Sequence, residues 1–273
     1  MIPDISFQEF KLIGIQELAR RYGVTERTVR RWRELKQESD AMKPRDIILG
    51  DLHTPYMVLQ ALDFIRRIKQ KYELNRLICM GDLVDIHTGG RWGQLPGAHG
   101  AKTEWELAVE MIGELTDMFP NALMAIGNHD ARAFRAAAKM GITDEMIKSI
   151  NDVYKLPPTW KLYQNFRYNT VYGPCMVMHG HDFSGPGAAD KWYNKLHTSV
   201  IIGHVHTAPG MRFYQTPDGT RYSAIIPCLA DEKSVAMEYA AAFGGCFVNG
   251  CAVSVPDLFT FEIIPDSKTG DSL

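Results

Sequence analysis

The chain has 273 residues, 45% of them hydrophobic and 23% charged, with a formal net charge of -2. That length suits one large domain with a small appendage, and so even a charge balance demands neither a nucleic acid nor a membrane as partner, though it can hide a local patch. No stretch approaches the roughly 20 apolar residues of a membrane span, and MIPDISFQEFK has early acidic residues without the apolar core of a signal peptide. A cytoplasmic protein is expected. Cys79, Cys175, Cys228, Cys246 and Cys251 are scattered, odd in number and never in C-x-x-C spacing, which predicts reduced, mostly buried thiols.

From Gly14 to Lys36 the sequence reads GIQELARRYGVTERTVRRWRELK. Ile15, Leu18 and Ala19 recur with helical spacing until Gly23, and Thr25 can cap a second helix that begins at Glu26 and buries Val29 and Trp32. Two short helices around a tight turn resemble the helix-turn-helix of DNA-binding proteins, whose second helix reads the major groove. Between Arg20 and Lys36, seven basic residues stand against Glu26 and Glu34, an excess suited to phosphate contacts. Arg27, Arg30, Arg31 and Arg33, on the second helix, are the candidate DNA contacts. A basic helical pair that packs on the body or serves an oligomer is the alternative, since so small a unit has little core of its own. The polar stretch from Lys36 to Asp46 is the natural boundary, giving a segment 1–44 and a catalytic domain 45–273.

Beyond it, DIILGD (46–51) reads as an apolar strand ending in a polar loop, followed by a helix carrying Leu59, Leu62, Phe64 and Ile65. RLICMGD (76–82) is a second such strand, and a helix from Thr103 to Phe119 leads to a third in NALMAIGNHD (121–130). Helical sequence around 131–150 gives way to PCMVMHGH (174–181) and SVIIGHVH (199–206), with the helix AADKWYNKLH between them. MRFYQ, RYSAIIP and LFTFEIIP complete a mixed C-terminal part. The alternation predicts an α/β sandwich, and the uninterrupted apolar runs suit strands covered on both faces.

Each strand then delivers polar residues: Asp51 and His53; Asp82 and Asp85; Asn128, His129 and Asp130; His179 and His181; His204 and His206. In α/β sheets, loops converge at the C-terminal strand edge, where ligands gather. Oxygen and imidazole donors without thiolate suit Mn, Fe, Zn or Ni rather than a structural zinc. Each fragment alone is weak, but five in order after predicted strands are specific. Among the neighbours, His181 is a candidate substrate contact or a structural residue, and Arg132, the nearest guanidinium, could clamp a phosphate or form a surface salt bridge. His87, Arg91 and Trp92 lie in a Gly-rich loop that could line a cleft. Tyr172, Trp192 and Tyr193 suit core or edge positions better than base stacking.

This ordered set resembles the calcineurin-like metallophosphoesterases over most of residues 46–265. The resemblance implies a four-layer sandwich of two central sheets flanked by helices, and two divalent ions, manganese being the first expectation. It places one ion on Asp51, His53, Asp82 and His206, and the other on Asp82, Asn128, His179 and His204, with Asp82 bridging. A hydroxide between the ions would attack phosphorus in line without a covalent intermediate. His129 would assist the leaving group and Asp85 would orient it. The whole chain also looks like phosphoesterases of phages and prophages that carry a helix-turn-helix ahead of the catalytic domain, which would place it in a host cytoplasm. Three functions stay open: a nucleic-acid phosphodiesterase tethered by its basic helices, a phosphomonoesterase or small-molecule phosphodiesterase whose helices serve assembly, and an inactive DNA-binding or structural phage-type protein.

Overall fold

A computed structural model describes residues 13–41, 44–90, 96–238 and 246–265. Helices α1 (Ile15–Tyr22) and α2 (Glu26–Ala41) form first. Gly23 adopts a left-handed φ of 62° and returns its N–H to the carbonyls of Ala19 and Arg20, which closes α1 without a Cβ penalty. Thr25 Oγ1 then accepts the Thr28 N–H at 3.2 Å, as an N-cap does. Leu18, Val29 and Trp32 are buried together against Ile13, Ile15, Ala19 and Val24, a core separate from the rest.

The body is built on two sheets. The first carries β1 (Asp46–Leu49), β2 (Arg76–Cys79), β3 (Ala122–Ala125) and β4 (Trp160–Tyr163) in parallel, with β10 (Gly250–Val255) and β11 (Leu258–Ile263) antiparallel at the β1 edge. The second runs β5 (Asn165–Thr170), β6 (Gly173–Met178), β7 (Val200–Ile202), β9 (Gly219–Ile225) and β8 (Gly210–Thr216), with β6, β7 and β9 parallel.

Strand alternation decides what each face meets. Ile47 and Leu49 point to the side of α3 (Ala61–Tyr72) and α4 (Ala101–Met118), where Phe64, Ile65, Ile68, Ala108, Ile112 and Leu115 are buried. Ile48, Ile78 and Ala252 point the other way and meet Val177, Ile201, Tyr222 and Ala224 of the second sheet. The far side of that sheet, with Ile202 and Ile225, is covered by Ala188 and Ala189 of α7 (Ala188–Leu196). The result is the expected α/β sandwich of two sheets flanked by helices. Each fully buried Ile or Leu contributes about 1.5–3 kcal/mol.

Two differences from the sequence reading concern elements near the site. Leu59 does not belong to α3; it is fully exposed in the turn before it, while Ala61 takes the buried place. The sequence around 131–150 is broken into α5 (Arg132–Lys139), a single 3-10 turn at Asp144–Met146, and α6 (Ile150–Val153). No residue of α5 is buried, so this helix lies on the surface beside the third loop.

Candidate metal centre

The parallel strands β1, β2 and β3 of the first sheet, with β6 and β7 of the second, end on the same side, and their loops converge there. The chain must turn sharply at each end. Asp51, His53, Asp82 and His204 all adopt left-handed φ values, of 39°, 51°, 50° and 65°. Such a conformation costs a non-glycine residue roughly 1–3 kcal/mol and persists only where surrounding contacts enforce it. The enforcing contacts are visible. His204 N–H donates to Asp51 Oδ2 at 2.7 Å, His129 N–H donates to Asp82 Oδ1 at 2.7 Å, and His53 N–H donates to the Asp82 carbonyl at 2.9 Å. The buried Asp130 accepts the N–H groups of Asp82 (2.9 Å), Gly127 (2.8 Å) and Val84 (3.3 Å), stitching the second loop to the third. Burial and the charge of Asp82 push the Asp130 carboxyl up to about 7. Glycine is required where a ligand carboxylate presses on the backbone: a Cβ at Gly203 would stand 2.6 Å from Asp51 Oδ2, and one at Gly127 would strike the Asp82 carboxylate.

The side chains gather in two sets, Asp51 with His53 and His206, and Asp82 with His179 and His204. His206 Nε2 is 3.3 Å from Asp51 Oδ1. Asp82 Oδ2 lies 3.2 Å from His179 Nε2 and 3.8 Å from His53 Nε2, so it reaches both sets. Asn128 Oδ1 is 3.0 Å from His179 Nε2. The second nitrogen of each deepest imidazole is already committed, His179 Nδ1 to the Met80 carbonyl at 3.0 Å and His53 Nδ1 to Asp85 Oδ1 at 2.8 Å. That leaves Nε2 as the nitrogen both rings turn towards the centre, the arrangement that prepares histidine for a metal once any proton there is displaced. Among the described residues, His53 Nε2 is buried with no hydrogen-bond partner. A buried nitrogen acceptor costs free energy unless something meets it, and a cation is the partner this oxygen–nitrogen donor set suits.

Electrostatics points the same way. Burial alone would raise the Asp82 carboxyl, but the His179 and His129 imidazoles hold it well below the usual carboxylate range. Burial and the neighbouring His179 push His204 down to about 4, so it is neutral. For His179, burial is overcome by the Asp82 and Asp51 carboxylates, which push it up to about 10.

A third group, His53, Asp85 and His129, adjoins the first set. Its members already bond one another, since His129 Nδ1 is 2.8 Å from the same Asp85 Oδ1 that holds His53. Asp85 therefore orients both rings, and burial is overcome by those two hydrogen bonds, which keep its carboxyl far down.

The remaining sequence candidates are placed as follows. His87 is buried, with Nδ1 3.8 Å from Asp85 Oδ2, and its own N–H donates to Glu104 at 2.6 Å. His181 is exposed at the rim, its ring centroid 5.5 Å from that of His179. Arg132 is neither free nor a surface ion pair; it donates to the Asp85 carbonyl at 2.7 Å and to His129 Nε2 at 2.9 Å. Tyr172 packs edge-on against Phe213 at 4.9 Å, and Tyr193 stacks one face on Tyr214 at 3.9 Å. Arg91 and Trp92 lie outside the described residues. On α2, Arg27, Arg30 and Arg31 are exposed, whereas Arg33 turns inward and donates to the Ile13 carbonyl.

Three residues near the site carry no motif signal. Tyr56, buried beside the first loop, has its ring 6.2 Å from that of His87. Glu104 reaches the 87–88 backbone from the first turn of α4. Phe247 sits edge-on to His206 at 4.5 Å. Only Tyr56, three residues after His53, stood close enough to a motif to be found.

Residues 44–234 match the family model of the calcineurin-like phosphoesterases, and the chain belongs to that family. It is a metal-dependent phosphoesterase, a hydrolase of phosphate esters, and the family uses a dinuclear centre of divalent ions. Among solved structures it is similar to vacuolar protein sorting 29 from Cryptosporidium parvum, at 12% identity and a TM-score of 0.40 over 81% of this chain and 96% of that one. The phosphoesterase YfcE of E. coli is similar at 14% identity and 0.42, over 81% and 97%. The nuclease MPE of Pseudomonas putida is similar at 11% and 0.35, over 80% and 87%. No curated protein matches the sequence. Among the described residues, no helix is long and apolar enough to cross a membrane.

Proposed function

We propose that the chain is a phosphodiesterase of nucleic acid, working with one ion on Asp51, His53, Asp82 and His206 and a second on Asp82, Asn128, His179 and His204. The observation that carries the two-ion assignment is the position of Asp82 Oδ2, within 3.2 Å of His179 Nε2 and 3.8 Å of His53 Nε2. When bound, two divalent ions supply Lewis acidity at the phosphoryl oxygens and an activated water as nucleophile. The donors are oxygen and neutral imidazole, so manganese is the first ion to test, ahead of iron, zinc and nickel.

The protein's own share is positioning and proton handling. Asp51 and Asp82 supply the negative charge, and their loop hydrogen bonds fix it in place. Asp85 holds His129 through Nδ1, which turns Nε2 to within 3.9 Å of Asp82 Oδ2. From there His129, once protonated at Nε2, gives that proton to the leaving alkoxide.

The nucleic-acid part of the proposal is supported by Arg27, Arg30 and Arg31, exposed on α2, which the Thr25 cap and the Gly23 turn present. A second reading, in which the enzyme acts on phosphomonoesters or small diesters and the helices serve assembly, has its own support. Arg33 is spent on Ile13, and Arg20 and Arg30 pair with Glu17 and Glu26.

One experiment separates them. The manganese-loaded full chain is assayed on p-nitrophenyl phosphate, bis-p-nitrophenyl phosphate, and single- and double-stranded DNA, alongside a variant with Arg27→Ala, Arg30→Ala and Arg31→Ala. The proposal expects DNA cleavage, with the variant losing roughly one unit of salt slope per phosphate contact removed. Hydrolysis of p-nitrophenyl phosphate with no cleavage of either DNA establishes the second reading instead.

A further inference from the structure

Arg132, the first residue of α5, has its guanidinium turned into the centre, with the side chain 18% exposed. Nη1 donates to the carbonyls of Asp85 (2.7 Å) and Ile86 (3.2 Å), and Nη2 donates to His129 Nε2 at 2.9 Å. A guanidinium has donors only. His129 Nε2 must therefore be an acceptor, and the ring's hydrogen sits on Nδ1, facing Asp85 Oδ1 at 2.8 Å and the Asp85 carbonyl at 3.0 Å. Held this way, His129 has no hydrogen on the nitrogen that points into the centre. The guanidinium also stands where a leaving-group oxygen would meet Nε2.

A phosphoryl oxygen is a far better partner for that fork than a neutral imidazole nitrogen. Charge-assisted contacts are about twice as strong, and the planar guanidinium matches phosphate two bonds at a time. We infer that Arg132 is a shared positioning residue, capping His129 Nε2 when no ester is bound and passing to the substrate's phosphoryl oxygens on binding, which frees Nε2 to take up a proton from solvent water and hand it to the leaving-group oxygen. This rests on the reading of His129 given above. The two bonds to the 85–86 carbonyls form the pivot, because they anchor Nη1 while Nη2 changes partner. Sequence position suggested a phosphate clamp or a surface salt bridge; the contact with Nε2 makes the clamp and the cap one device.

The test compares two diesters, bis-p-nitrophenyl phosphate with its aryl leaving group and a dinucleotide with an alkoxide leaving group, in the metal-loaded full chain. Arg132→Ala is expected to raise KM about tenfold on both, as loss of a charged hydrogen bond to the phosphoryl group should, while the ratio of kcat values for the two esters holds. Arg132→Lys, which keeps the charge without the fork, is expected to recover part of that KM and decides the matter alone should the alanine variant not fold. His129→Asn is expected to lower kcat about 100-fold on the dinucleotide and little on the aryl ester. Unchanged KM in both Arg132 variants overturns the inference. So does a kcat loss confined to the dinucleotide with KM unchanged, since Arg132 would then act on His129 alone. An equal loss on both esters in His129→Asn overturns the acid role of His129; the Arg132 inference is then judged on KM, supported by the rise and overturned without it.

Discussion

β1 and β2 carry charge at both ends, buried or half-buried, and the two ends treat it in opposite ways. At their start, Asp46 accepts Nε and Nη2 of Arg76 at 2.8 Å each and the Tyr168 hydroxyl at 2.6 Å. Each charge there has its partner, and the cluster is closed. At their finish, Asp51 and Asp82 face imidazoles, and among the described residues His53 Nε2, Asp85 Oδ2 and His87 Nε2 are buried with no hydrogen bond. Burial of a carboxylate therefore does not mark a working site, because a paired one can be purely structural. Donors left unspent mark it.

The contrast is broken most severely at Asp82. Asp82→Ala removes the oxygen that reaches both metal sets, and activity should fall on the order of 10³-fold or more while the chain still folds, as steady-state assays and thermal melting would show. Retained activity would remove Asp82 from the bridge. The mirror experiment is Arg76→Ala. It leaves Asp46 with only the Tyr168 hydroxyl, and because Arg76 is partly exposed, denaturant unfolding should report a loss of about 1–3 kcal/mol, with kcat per folded molecule unchanged. Should Arg76→Ala lower kcat instead, the two ends are coupled and the division between them fails.

That division was partly legible in the sequence. Asp51, His53, Asp82, Asn128, His179, His204 and His206 follow apolar strands in short, glycine-marked motifs, and short-range order is what a sequence displays. The strand-and-helix alternation gave away the sandwich for the same reason. Other features depend on partners distant in the chain. Glu104 meets the backbone of His87 from 17 positions away, and Tyr168 reaches Asp46 across 122. Arg33 shows the limit on a helix: its charge counted toward a basic face, but its side chain folds back on Ile13, 20 residues earlier. Arg132 was noticed for its charge, while its geometry depends on the 85–86 turn, where Ile86 adopts a φ of 51°.

A smaller effect is expected at Asp85, which touches two rings and sharpens the boundary between ligands and their supports. Asp85→Asn loosens both His53 Nδ1 and His129 Nδ1. Outer partners of this kind typically contribute 10–100-fold to metal affinity or activity. Metal titration and kcat measured on the same preparation should both decline within that range. Decline in kcat alone would mean that Asp85 serves His129 and not the ion.

The gentlest probe is proton release, because the unspent end should exchange protons for ions. In the metal-free protein, burial disfavours charge on His179, but Asp82 and Asp51 push its pKa up to about 10. Free histidine titrates near 6.5, so His179 keeps at neutral pH a proton that the free side chain would mostly have lost. An ion needs the bare nitrogen and must displace that proton. Apparent affinity should accordingly rise with pH, by up to about tenfold per unit for one proton released, and weaken as pH falls. His204, pushed down to about 4 by burial and His179, has no proton to give in this range. Calorimetric titration at pH 7 in two buffers of different ionisation enthalpy should thus count about one proton from the Asp82–His179–His204 set rather than two. An affinity flat between pH 6.5 and 8 would mean that His179 is already neutral and that its carboxylate neighbours are compensated within the protein, as Asp46 is at the closed end.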